Sequence, residues 1–211
     1  MAVKKTIPEL KHLARVLVSE TAIRKRIEAL AGKINRTYRG EDLTVIAIVN
    51  GALIFAADLL RQLRTPLRLD CLRAASYHSG TQAGGKPVIV DNLKLDIAGR
   101  QVLLVDDILD TGNTLAAVRQ LLLAKGAARV RTCVLLDKKA RRGVPFEAEY
   151  VGFGIPDEFV VGYGLDFNER YRNLPCIGVL KPKFYAAKPE ENALHSPAAG
   201  LSLPVRARRG G

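Results

Sequence analysis

Cysteine is scarce in this 211-residue chain: Cys71, Cys133 and Cys176 stand far apart, and no Cys-x-x-Cys occurs. A disulfide framework and a Cys-ligated zinc site are therefore not indicated, and a reducing, cytoplasmic compartment is expected. Long apolar runs are missing too. None approaches the ~20 residues of a membrane-spanning helix. Met1 to Leu10 has no uninterrupted apolar stretch of the kind a secretory signal needs. The histidines, His12, His78 and His195, are scattered, so none is a good catalytic candidate. No internal repeat is visible. The formal net charge is +12, yet no Lys/Arg block is interleaved with aromatics. Such a balance can mean nucleic-acid binding or an anionic small substrate, and nucleic acid is not the expected partner.

What is present is an ample core, with 48% hydrophobic residues in a length that suits one domain. Short apolar stretches alternate with helical spacings. A strand is expected over Arg15 to Val18, with Ser19 as N-cap of a helix bearing Ile23, Ile27, Leu30 and Ile34 on one face. Further strands are expected at Leu43–Val49, Leu67–Leu72, Val88–Val90, Val102–Val105, Val130–Leu136, Tyr150–Phe153 and Phe159–Val161. Helices are expected at Ala52–Leu63 and Leu115–Leu123, with Gly126 ending the second. Repeated strand–helix–strand units imply a mostly parallel sheet covered on both faces. Ligands then bind at the carboxyl ends of the strands, which brings Asn50-Gly51, Asp106 to Thr114 and Lys138 to Arg142 to one rim. Residues 76–87 contain three glycines and no periodicity, and are expected to form a mobile lid. Residues 189–211 are expected to be a flexible basic tail.

The most informative stretch is Val102 to Leu115, reading VLLVDDILDTGNTL. An apolar strand runs into Asp106 and Asp107, then Asp110, then the small turn Thr111-Gly112-Asn113-Thr114. Backbone N–H groups of such a turn and of the helix behind it suit a phosphate. Asp106 and Asp107 suit sugar hydroxyls, directly or through a divalent cation. An N-capping role would need one carboxylate, and three so close repel one another unless a cation or donors join them. A phosphate at one end and a diol at the other describe a ribose 5-phosphate.

This stretch resembles the phosphoribosyl-diphosphate signature of type I phosphoribosyltransferases. Val49-Asn50-Gly51-Ala52, Ser76-Tyr77, Leu136-Asp137-Lys138-Lys139 and the run Val151 to Asp166 narrow the likeness to hypoxanthine (hypoxanthine-guanine) phosphoribosyltransferases, over about residues 9–187. The resemblance implies an α/β type I phosphoribosyltransferase fold, with a hood subdomain built from the N-terminal segment and about 150–188. The whole would form one domain, 1–188. It also implies transfer of the phosphoribosyl group to N9 of hypoxanthine or guanine, with Mg²⁺, giving the nucleoside monophosphate and diphosphate. A homodimer or homotetramer is expected.

The roles it implies are these. Asp106 and Asp107 hold the ribose hydroxyls, with magnesium nearby, and Asp166 takes a second magnesium. Asp110 faces purine N7 as general base. Thr111, Gly112, Asn113 and Thr114 cradle the 5′-phosphate. Asn50-Gly51, after a cis peptide, binds diphosphate by its backbone, with Ser76 and Tyr77 on the same substrate and with Arg142 and Arg172 neutralising charge. Lys138 meets the purine O6, Phe159 stacks on the base, and the Val160 backbone reads its edge. By pattern alone, Phe159 is better read as core, and Lys138 to Arg142 reads equally well as a solvated turn. Asp106 stands where the family often has Glu, while Asn50 and Asn113 stand where some members carry lysine. The alternative is a regulator on the same fold that senses nucleotides and binds nucleic acid. Asp110 and Lys138 separate the two, because a sensor needs neither a base nor an O6 donor.

Overall fold

The computed structural model describes residues 7–75, 87–90 and 93–186. Ser76, Tyr77, the rest of the glycine-rich segment up to residue 86, and the basic tail lie outside them. The chain runs β1 (Leu13–Val18), α1 (Glu20–Thr37), β2 (Leu43–Val49), α2 (Leu53–Leu60), β3 (Leu67–Ala75) and β4 (Val88–Val90). It continues through β5 (Gln101–Leu109), α3 (Asn113–Ala124), β6 (Arg129–Asp137), β7 (Tyr150–Gly154), β8 (Val160–Val161) and β9 (Ile177–Leu180).

Local chemistry accounts for the first helix. Ser19 is extended, and its Oγ accepts the Ala22 N–H at 3.3 Å. That satisfies one of the donors a helix start leaves open. Ile23, Ile27, Leu30 and Ile34 form the buried stripe, while Arg24, Lys25, Arg26 and Glu28 face outward.

The main sheet has the order β4-β3-β2-β5-β6-β7. All neighbours are parallel except β4, which runs against β3. In β2 and β5 successive side chains enter different cores. Val45, Ala47, Leu103 and Val105 pack with Ile27, Ile34, Phe55 and Leu59 of α1 and α2. Ile46, Ile48, Val102 and Leu104 pack with Leu115, Val118 and Leu122 of α3. Covered on both faces, these strands read as unbroken apolar runs. From β2 the chain winds outward through α2 to β3, and from β5 it winds the other way through α3 to β6. The reversal between neighbouring β2 and β5 opens a crevice at their carboxyl ends, where such folds bind ligands.

A second, antiparallel sheet, β1-β9-β8, covers that end with a small core of Leu13, Val161, Tyr171, Leu174, Cys176 and Leu180. β7, grouped with this lobe in the sequence, belongs to the main sheet. Sequence pattern does not reveal β9, and it stops β5 too early. β5 continues through the acids to Leu109 because β6 pairs with it there, Asp106 opposite Val134 and Ile108 opposite Leu136. α2 ends at Leu60, three residues before the periodicity does. Among the described residues no helix is long and apolar enough to cross a membrane.

Candidate active site

The acids at the end of β5 lie inside the strand, not beyond it. Asp106 is only 7% exposed. Its Oδ1 accepts the Asp107 N–H at 3.0 Å, and Asp107 Oδ1 accepts the Ile108 N–H at 2.9 Å. Burial, and then Asp107 beside it, push Asp106 well above the usual carboxylate range. Burial raises Asp107 as well, against the pull of backbone N–H groups and of the Arg172 charge.

After Asp110 the backbone turns through Gly112 at φ +88°, a left-handed conformation that glycine adopts without strain. α3 therefore begins at Asn113, two residues before the apolar spacing suggests. The first turn of a helix leaves N–H groups without intrahelical partners, and here the Asn113 N–H donates to Thr111 Oγ1 at 3.4 Å. The turn rests on the loop after β6, where the N–H groups of Gly143 and Val144 donate to the Thr111 carbonyl at 2.9 and 3.3 Å.

Asn50-Gly51 follows β2, and the Val49–Asn50 peptide is cis. A Cβ at position 51 would strike the Asp107 carboxylate, so the turn lies directly against that acid. A Cβ at position 164 would strike the Gly51 carbonyl. The turn of the covering lobe thus meets the Gly51 backbone face to face. Arg172 braces this lobe turn: it donates to the Gly164 carbonyl at 2.8 Å and pairs with Asp166 at 2.9 Å and Glu169 at 2.8 Å. Asp166 also closes a turn, accepting the Glu169 N–H at 2.9 Å.

Lys138 is not a solvated turn residue. It is 6% exposed, its Nζ donates to the Glu158 carbonyl at 3.0 Å, and Asp157 Oδ1 lies 3.7 Å away. The ammonium therefore spans from β6 to the loop before β8, with donor capacity to spare. Phe159 is 39% exposed, so it is not core either. β8 is an edge strand of its sheet, paired only with β9, so half of the Val160–Val161 backbone groups face away from the ladder.

Arg142, expected from the sequence at the diphosphate, is engaged by the protein itself. Its guanidinium pairs with Asp137 and donates to the carbonyls of Asp110 and, at 3.3 Å, Leu109. Asp137 is 4% exposed, so this is a buried pair clamping the ends of β5 and β6. The adjacent Arg141 is the one facing the Asp110 carboxylate, with Nε 3.5 Å from Oδ1. That Oδ1 is buried and has no hydrogen-bond partner. Asp137, Arg141, Asp157 and Glu158 are the site residues that sequence reasoning passes over. Asp137 carried a signal: it is a lone acid between two leucines and two lysines.

Asp166 does not join Asp106 and Asp107 in one metal cluster. Among the described residues no group of three or more His, Cys, Asp or Glu is arranged to hold an ion. The donor set nonetheless fits magnesium, which takes one or two carboxylates and completes its shell with substrate oxygens and water. Asp106 and Asp107 form no ion pair with a described residue, so a cation would relieve their repulsion.

Fold and site together define a doubly wound α/β protein whose winding reversal holds a glycine turn at a helix start beside an acid pair, under a small second lobe. Comparison with known proteins makes this specific. Residues 17–168 match the family model described as phosphoribosyl transferase domain. Hypoxanthine-guanine phosphoribosyltransferase of Staphylococcus aureus strain Mu50 is 41% identical over 174 residues, covering 82% of this chain and 97% of that protein. A solved structure of a hypoxanthine phosphoribosyltransferase from the same species superimposes with a TM-score of 0.82 at 40% identity, over 86% of this chain and 99% of that one. The bifunctional protein TilS/HprT of Listeria innocua is 42% identical over 82% of this chain, and the chain spans 27% of its length. The chain belongs to the phosphoribosyltransferase family, in its hypoxanthine-guanine branch, and has the type I fold.

Proposed function

We propose that this protein transfers the 5-phosphoribosyl group of phosphoribosyl diphosphate to N9 of hypoxanthine or guanine, releasing diphosphate. The observation that carries the reading is a set of three contacts: Asp107 against Gly51, Gly51 against Gly164, and Lys138 reaching from the sheet to Glu158. In this reading Thr111 to Thr114 and the start of α3 hold the 5′-phosphate, and Asp106 and Asp107 take the ribose hydroxyls. The Gly51 backbone and Arg172 lie at the diphosphate side. Phe159 offers a ring face to the base, the open edge at Val160 reads its polar rim, and Lys138 donates to O6.

Breaking the C1′–diphosphate bond builds positive charge on the ribose and negative charge on the leaving group. The acid pair suits the first, and Arg172 suits the second. Magnesium, held by Asp106 and Asp107 with a second ion at Asp166, would supply charge neutralisation of the diphosphate. Asp110 lies between the phosphate turn and Lys138 and takes the N7 proton. Arg142 is reassigned to holding the Asp110 carbonyl, and so the direction of that carboxylate.

Five bases assayed with phosphoribosyl diphosphate and Mg²⁺ test the reading. Hypoxanthine or guanine should turn over and adenine should not, since Lys138 is a donor and a 6-amino group is not an acceptor. Turnover of adenine alone, or of no base, would overturn it. Asp110→Asn should lower kcat with hypoxanthine by roughly 10²–10⁴, the usual range for a lost general base. The KM for phosphoribosyl diphosphate should change far less, and equal turnover in the two proteins would exclude the role.

A further inference from the structure

Phe159 is 39% exposed even though two rings already touch it. Tyr185 stacks on it with centroids 4.7 Å apart and planes at 27°. Phe167 meets it edge-on, at 5.6 Å and 87°. A phenyl ring has two faces and a rim. Tyr185 covers one face, Phe167 stands at right angles to the ring, and ring surface is still left exposed beyond both contacts. We propose that Tyr185 is a positioning residue for the base: it backs Phe159 so that a purine stacks on the ring's opposite face. This rests on the assignment of Phe159 to the base made above.

The segment that presents Tyr185 is anchored on both sides. Pro182–Phe184 form a 3-10 turn, and the N–H groups of Tyr185 and Ala186 donate to the Pro182 carbonyl at 3.1 and 2.8 Å. Phe184, one residue earlier, stacks on His12 at 4.1 Å and 27°. Lys181 ties the same turn to the N-terminal segment, by its N–H to the His12 carbonyl at 3.1 Å and its Nζ to the Lys11 carbonyl at 2.7 Å. Adjacent residues thus point oppositely, Phe184 into the lobe and Tyr185 onto Phe159. The Leu180 N–H donates to the Phe159 carbonyl at 3.0 Å, so ring and turn share one backbone frame.

The physical consequence is preorganisation. A Phe159 ring open on both faces would lose rotamer freedom when a base bound. With Tyr185 stacked behind it and Phe167 set at right angles beside it, that ordering is already done, and the incoming purine adds a third layer to an existing stack. Phe167 follows Asp166 directly, so the same cluster links the base wall to the magnesium-side acid.

Steady-state kinetics and thermal unfolding of Tyr185→Ala, Tyr185→Phe and Phe159→Ala test this. Tyr185→Ala should raise the KM for hypoxanthine roughly three- to tenfold, the size of one aromatic stacking contact. The KM for phosphoribosyl diphosphate and kcat should move much less, and Tyr185→Phe should restore the KM for hypoxanthine because the ring is what matters. An unchanged KM for hypoxanthine in Tyr185→Ala, with Phe159→Ala impaired, would overturn the proposal alone. A lowered KM would also overturn it, since Tyr185 would then occupy the base's own face. A parallel loss in both KM values with a fallen Tm would make the role structural and overturn it equally. If Phe159→Ala leaves the KM for hypoxanthine unchanged, the failure lies in the assignment of Phe159 to the base.

Discussion

Asp106 is a residue whose charge works against the fold. It is 7% exposed, and Asp107 stands beside it. Both influences disfavour its charged form. Asp106→Asn keeps an oxygen for the Asp107 N–H and removes the charge. We expect this variant to be more stable than the parent by about 1 kcal/mol, a Tm rise of about 2–4 °C for a chain of this size. Its KM for phosphoribosyl diphosphate should rise at the same time. Differential scanning calorimetry beside initial-rate assays reads both, and a lowered Tm would show that Asp106 is satisfied without a ligand. Asp106 and Asp107 stood out in the sequence as candidates to face a ligand because acids rarely follow four buried apolar residues without a reason. The identity of the residue facing Asp110 was not legible. Arg141 and Arg142 are adjacent and chemically equal in sequence, and only the turn after β6 sends one to the carboxylate and the other into the interior.

Among the elements, β5 and β6 carry the site between them, and their junction depends on the Asp137–Arg142 pair. Arg142→Met leaves the Asp137 carboxylate buried without its partner. Loss of one member of such a pair costs about 3–5 kcal/mol, whereas replacing both by apolar groups is often close to neutral. Urea unfolding should therefore find Arg142→Met markedly less stable, and Asp137→Leu with Arg142→Met should recover much of the loss. A double variant as unstable as the single would place the cost elsewhere. Strand and helix positions in this region followed from apolar spacing, since β2, β5 and β6 are buried on both faces and α1 on one. Their ends did not follow. β5 runs to Leu109 and α3 begins at Asn113 because of pairing with β6 and the turn at Gly112, neither of which is a periodicity. β9 escaped for a similar reason: its four residues, Ile177–Leu180, acquire their meaning from β1 and β8, which are distant in sequence.

At the scale of the whole molecule, the site lies between the sheet and the lobe, and a substrate held by both should stabilise their contact. Phosphoribosyl diphosphate with Mg²⁺ at about a hundredfold excess over its Kd should add about 2.7 kcal/mol. That corresponds to a Tm rise of about 5–10 °C, and a chelator should remove most of it. A rise that survives chelation would mean that the acid pair binds the sugar without a cation. The +12 charge, read from composition, gave no direction here, because the rim that holds Asp106, Asp107 and Asp110 is itself rich in acids. The sequence by itself determined the main sheet's strands, the acid pair, the glycine turn after it and the rim they share, because periodicity and strand direction are local properties that topology rules extend. Only the tertiary structure decided which arginine is a clamp, that Lys138 is anchored at Glu158, that Gly51 touches both Asp107 and Gly164, and that Tyr185 backs Phe159. Those facts are contacts between segments up to about a hundred residues apart, and close packing, which no local pattern encodes, chooses among them.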